Sequence, residues 1–245
     1  MEAYKGDTLA SIYRSMEILA EFPRQVIVLK GTMTVCGLKG RRSGLQRRLI
    51  DEGQTRGFPE YCRQLEAARR GDLSLQRQLL GLGRAADEQM ARMLGDAARF
   101  SESLELIAGT YTAAELQILR RDVPYTKALF EKVTANVMML AAMMFAGHPR
   151  ISKLPPASEL PCTFIFRAAL CAYLLALRWV SVGGAENVKA KRIRNDLVDV
   201  NFAAFATYFD GLLSADSKAA GIYCDADYLL RNFFVMPGEL AQAGS

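Results

Sequence analysis

Apolar residues recur every three to four positions along much of this chain, so helices are the first prediction. Residues 7–21 place Leu9, Ile12, Met16 and Leu19 on one side of an amphipathic helix. A mainly helical stretch follows from about residue 45 to 100. Thr112 and Glu115 match the Ser/Thr-x-x-Glu capping box that opens the next helix. Further helices are expected over about 126–147 and 163–180, separated by the proline-containing connection His148 to Pro161. Met138, Met139, Met143 and Met144 recur at helical spacing and read as core filling. Gly183-Gly184 then breaks the chain before a helix carrying Asp196 and Asp199.

Three short apolar runs depart from that period and read as buried strands. They are Gln25 to Leu29 ahead of Gly31, Leu104 to Ala108, and Leu212 to Ser214 ahead of Asp216. Strands alternating with helices predict a small parallel sheet, with Leu212–Ser214 central beside Val26–Leu29. The fold class expected is therefore α/β and helix-rich: one domain over 1–245, a small parallel sheet flanked by many helices, and a helical insertion at about 45–100. A glycine-rich basic loop, Gly37 to Gly44, follows the first strand.

The segment from Arg194 to Asp216 carries the most chemistry. Asp196 and Asp199 are three apart and share a helical face. Val198, Phe202, Phe205 and Phe209 form the apolar stripe, while Ala203 and Ala206 allow another backbone to approach. Asp216 follows the last strand, and ligands of open α/β sheets gather outside the carboxyl ends of the strands. Clustered carboxylates there suit a hard cation, Mg²⁺ or Mn²⁺. The plainer reading of Asp196 and Asp199 is that acids are favourable in the first turn of a helix.

Asp199, Ala203-Ala204 and Gly211-Leu212-Leu213-Ser214-Ala215-Asp216 together resemble the C-terminal half of the PIN domain, a family of metal-dependent nucleases acting mainly on RNA. The resemblance covers about residues 190–230. It implies hydrolysis of RNA phosphodiesters by a cation that Asp199, Asp216 and Glu115 would hold. Asp196 would be a further ligand or orient water, and Ser214 would hydrogen-bond a carboxylate. Basic groups would position the RNA backbone: Lys39, Arg41, Arg42, Arg47 and Arg48, with Lys189, Lys191, Arg192 and Arg194. RNA is the partner implied, with a homodimer or an antitoxin-like protein beside it. The family's first Asp has no counterpart. Lys30 stands in its place, and an ammonium beside a cation repels it, so weak or absent cleavage is expected.

Composition narrows the remaining classes. The chain is 51% hydrophobic and 23% charged, as a globular protein is, and its net charge of +5 is compatible with a polyanionic partner. Cys36, Cys62, Cys162, Cys171 and Cys224 contain no CxxC pair, and the lone His148 cannot complete a zinc set. Free thiols and an N-terminus without an apolar signal region point to the cytoplasm. No membrane span is expected: Val133 to Gly147 is too short, and Phe164 to Val182 is interrupted by Arg167 and Arg178. No P-loop or Gly-x-Gly-x-x-Gly signature occurs, and a Ser-His-Asp triad would need His148, which sits in a Gly-His-Pro turn. The alternative from another class is a non-catalytic helical module that binds protein or nucleic acid, with the acids as caps. Lys30 favours it, and Mn²⁺ binding separates the two.

Overall fold

The computed structural model describes residues 8–41, 44–121, 125–149, 151, 153–183 and 190–233. In chain order the helices are α1 (Thr8–Glu21), α2 (Thr32–Cys36), α3 (Leu45–Leu49), α4 (Glu52–Arg69) and α5 (Leu73–Gly109). They continue with α6 (Ala113–Arg121), α7 (Lys127–Ala146), α8 (Phe164–Ser181), α9 (Ala190–Ala206) and α10 (Ser217–Phe233). A single 3-10 turn, Leu160–Cys162, leads into α8.

The expected parallel sheet is absent: the protein is 76% helical, with no β-strand among the described residues. Each of the three strand readings fails for its own reason. Around Val26–Leu29, only Leu29 pairs, through an isolated antiparallel bridge to Ile50. Lys30 N–H donates to Leu49 O and Asp51 N–H to Val28 O, both at 2.8 Å, and there the pairing stops. Leu104–Ala108 is the C-terminal end of α5, where a long run of helix formers carries five apolar-rich residues along with it. Leu212–Ser214 is irregular backbone, with Leu213 wholly exposed. Short apolar runs do not distinguish strand from helix by period alone. The α/β class is thereby corrected to all-α.

Two compact units divide the chain, Met1–Lys30 with Leu49–Asp96, and Gly31–Arg48 with Ala97–Ser245. The first holds most of the stretch read as an insertion. Its core is Ile12 of α1 against Leu65 and Ala68 of α4 and Leu79 of α5, with Leu9, Tyr13 and Met16 packed alongside. Asp51 starts α4 by accepting from Gln54 N–H at 2.9 Å, which satisfies one of the first-turn donors.

The second unit is built around α8. Fifteen of its 18 residues are buried, and α6, α7, α9 and α10 all pack on it. Thr163 caps it, accepting from Phe166 N–H at 3.3 Å. Gly40 must be glycine, because a Cβ there would lie 2.2 Å from the Glu159 carbonyl oxygen, just ahead of that cap. The two arginines that interrupt the apolar run take up opposite margins. Arg167 is drawn inward: its Nε donates to Pro161 O at 2.9 Å, its Nη1 to Thr207, and its guanidinium lies 3.8 Å from the Tyr208 ring centroid. Burial lowers its pKa below the usual arginine value. Arg178 stays at the surface and pairs with Asp225 of α10 at 2.9 Å. A polar contact inside the helical packing joins Tyr111 and Tyr173, hydroxyl to hydroxyl at 2.7 Å, with Asn136 Nδ2 donating to the Tyr173 oxygen at 2.7 Å.

Candidate functional site

The expected carboxylates turn out to hold helices together. Glu115 forms the capping box as foreseen, accepting from Thr112 N–H at 2.7 Å while its own N–H donates to Thr112 Oγ1 at 3.2 Å. It also receives Lys132 Nζ of α7 at 2.6 Å. The Lys132 hydrogen bond, and then that of the Thr112 backbone, lower its pKa. Asp216 caps α10, accepting from Lys218 N–H at 2.8 Å and Ala219 N–H at 2.9 Å. Ser214 Oγ accepts from Asp216 N–H at 3.1 Å, so it fixes the capping turn through the backbone and does not touch the carboxylate.

Asp196 is 6% exposed on α9 and holds Lys218 Nζ at 2.6 Å. Asp196 and Asp216 therefore meet the same residue, one at its ammonium and the other at its backbone N–H. Where the sequence reading placed a divalent cation, the chain supplies a lysine. Asp199 lies half-buried one turn further along α9. Among the described residues no three His, Cys, Asp or Glu side chains gather closely enough to hold a metal ion, so the expected convergence of Asp199, Asp216 and Glu115 does not occur. Lys30 belongs to the first unit and these acids to the second.

The basic positions also separate. Arg48 reaches back to donate to the carbonyls of Lys39 and Arg41, which closes the glycine-rich loop on itself. Arg42 and Lys189 lie outside the described residues. Arg194 is buried, donating from Nη2 to Asn195 Oδ1 at 3.0 Å, so it cannot meet a backbone phosphate from where it sits. Lys191 and Arg192 are exposed on the first turn of α9.

The feature the sequence reading missed is on α7. Met138, Met139, Met143 and Met144 were expected in the core, but they are 38%, 60%, 65% and 36% exposed. What faces α8 is a different set, Leu129, Val133, Val137, Ala141 and Phe145, at a regular spacing of four. Opposite runs a second apolar stripe of exposed residues, Ala135, Met138, Met139, Ala142, Met143 and Ala146, spaced 3-1-3-1-3. No charged residue occurs between Val133 and Ala146. The signal was present in the sequence: a helix with two apolar stripes has one more than a single core contact uses. At 20 residues α7 is also longer than the apolar run within it, and α7 and α8 are both long and apolar enough to cross a membrane.

No family model, no curated protein and no solved structure matches this chain.

Proposed function

We propose that this chain is a non-catalytic helical protein-interaction module that docks another helix along the outer face of α7, and that the partner this face fits is a second copy of the chain. The observation that carries this is the exposed stripe Ala135-Met138-Met139-Ala142-Met143-Ala146. Contiguous exposed apolar surface on one helix marks an interaction site. Methionine side chains adapt to an opposing surface, and the alanines between them let a second helix approach closely. The stripe has the i, i+3, i+4, i+7 register by which helices recognise grooves and one another. Having no charge, it meets its own image without repulsion, and a two-fold pair is the commonest assembly. A helix lying on a lipid surface instead carries a lysine- and arginine-rich polar face. The face of α7 opposite the stripe is buried against α8 and has no such residues. The duties of Glu115, Asp196 and Asp216 within the fold support a module without catalysis.

Sedimentation velocity over a concentration series tests this on the whole chain and on Met139→Glu/Met143→Glu. The expected result is a concentration-dependent dimer that the double variant loses while its thermal unfolding is unchanged. A monomer at every concentration for both chains would overturn it. Mn²⁺-dependent cleavage of a labelled single-stranded RNA, lost in Asp199→Asn, would replace it with the ribonuclease reading.

A further inference from the structure

A cavity of about 390 Å³ opens where the C-terminal end of α8 meets the first turns of α9 and α10. Its walls carry three cations, Arg178, Arg192 and Lys218, around the side chain of Trp179, with Ser217 at one edge and Val182 at another. Two of the cations have acids: Arg178 pairs with Asp225 and Lys218 with Asp196. Arg192 lies 5.7 Å from the Trp179 ring centroid and Lys218 Nζ 4.6 Å from it, so one aromatic face system holds both charges at the cavity. The balance around the cavity is three positive charges against two negative ones.

Trp179 supplies the second observation. It is 7% exposed, and its Nε1 is a buried donor with no hydrogen-bond acceptor. Buried indole N–H groups ordinarily have a partner. A cavity that pairs surplus positive charge with an unsatisfied N–H donor is complementary to an anion bearing several acceptor oxygens. A phosphate monoester is that ligand, with three acceptor oxygens and close to two negative charges at neutral pH. Leu175, Val182 and the Trp179 ring form an apolar wall beside these donors, suited to an organic body attached to the phosphate. Cavities of a few hundred Å³ with apolar walls and a few convergent polar groups are the usual form of small-ligand sites.

We infer that this cavity binds a nucleoside monophosphate, its phosphate held between Arg192 and Lys218 and its body against the apolar wall. The same chemistry is carried by a free mononucleotide and by the 5′-phosphorylated end of an RNA strand. The inference is independent of the α7 interface.

Trp179 is the only tryptophan of the chain, so its fluorescence reports this cavity alone. The test is a fluorescence titration of the full chain with AMP, adenosine, inorganic phosphate and a short oligoribonucleotide with or without a 5′-phosphate. Saturable change with AMP and none with adenosine is expected. Arg192→Ala should weaken it by about tenfold, the loss typical of one charge-assisted contact, and Arg192→Lys should restore part of it. Arg192 is exposed and makes no ion pair, so both variants should melt as the wild type does. Binding of AMP without the phosphorylated strand assigns the site to free nucleotide, and the reverse assigns it to strand ends. No saturable change with either, equal binding of adenosine, or an unaltered affinity in Arg192→Ala would overturn the inference.

Discussion

α7 and α8 are nearly matched in length and composition, 20 and 18 residues with mean hydropathies of 1.4 and 1.5, yet 28% of one apolar window is buried and 83% of the other. The difference lies in where each helix puts its polar groups. α8 has two arginines, and each reaches an acceptor at a margin of the helix, so the whole circumference between them is free to take neighbours. In α7 all the charge is in the first two turns, where Lys132 is tied to Glu115 of α6. That anchor sets which side of α7 faces inward, and the second stripe is left outward. Apolar content specifies that a helix will pack; the polar anchors specify on how many sides.

The largest expected effect separates the two helices directly. Phe166→Ala in α8 removes a fully buried ring and should cost about 3–5 kcal/mol in urea unfolding. Met139→Ala on the outer stripe of α7 should stay within about 0.5 kcal/mol. Equal losses would mean that both helices are core.

Next comes the ion pair that fastens α9 to α10 beside α8. Asp196→Asn leaves the Lys218 ammonium without its carboxylate in a half-buried position, and a loss of about 1–2 kcal/mol is expected. A stabilised variant, with tighter Mn²⁺ binding in Lys218→Met, would instead identify the pair as an occluded cation site.

Tyr173→Phe unfastens the polar contact between α7, α8 and the turn holding Tyr111. It removes the acceptor of Asn136 and the partner of Tyr111, and should cost about 1 kcal/mol. No change on unfolding would show that these hydroxyls pair equally well with water.

The smallest effect is a pH dependence at the anchor of α7. The Glu115 carboxylate has a lowered pKa in the folded chain. A depressed carboxylate contributes stability that is fully present above its unfolded pKa and is lost as pH falls through the folded value. Stability measured from neutral pH downward should therefore fall less steeply in Glu115→Gln below the ordinary carboxylate range. An acid limb identical in both chains would show that the Lys132 pair contributes nothing.

Much of the helical order was legible in sequence. The Thr112–Glu115 capping box, the breaks after the helices near 147 and 180, and the burial of the 163–180 helix follow from local rules that the structure obeys. The strands were not legible, because strand identity depends on a partner elsewhere in the chain. Leu29 finds Ile50 for one bridge only, and Leu104–Ala108 is absorbed by the helix it ends. The acidic positions were identified correctly as a group of interest, but their counter-ions were not. Nothing local tells that Lys218 reaches Asp196 across 22 residues, or that Lys132 reaches Glu115 across 17. The plainer capping reading was right for Glu115 and Asp216, and Asp216 was the residue for which it had not been weighed alone. The cluster at Trp179 is likewise a product of packing, since Arg192 and Lys218 come to the same ring from two helices.

Methionine oxidation by hydrogen peroxide, read residue by residue by mass spectrometry across a range of protein concentrations, tests the docking role of α7 most directly. Met33 is 53% exposed and off the stripe, and serves as the internal control. Met138, Met139 and Met143 should oxidise more slowly as concentration rises, while Met33 keeps a constant rate. Rates for all four that do not change with concentration would contradict the account.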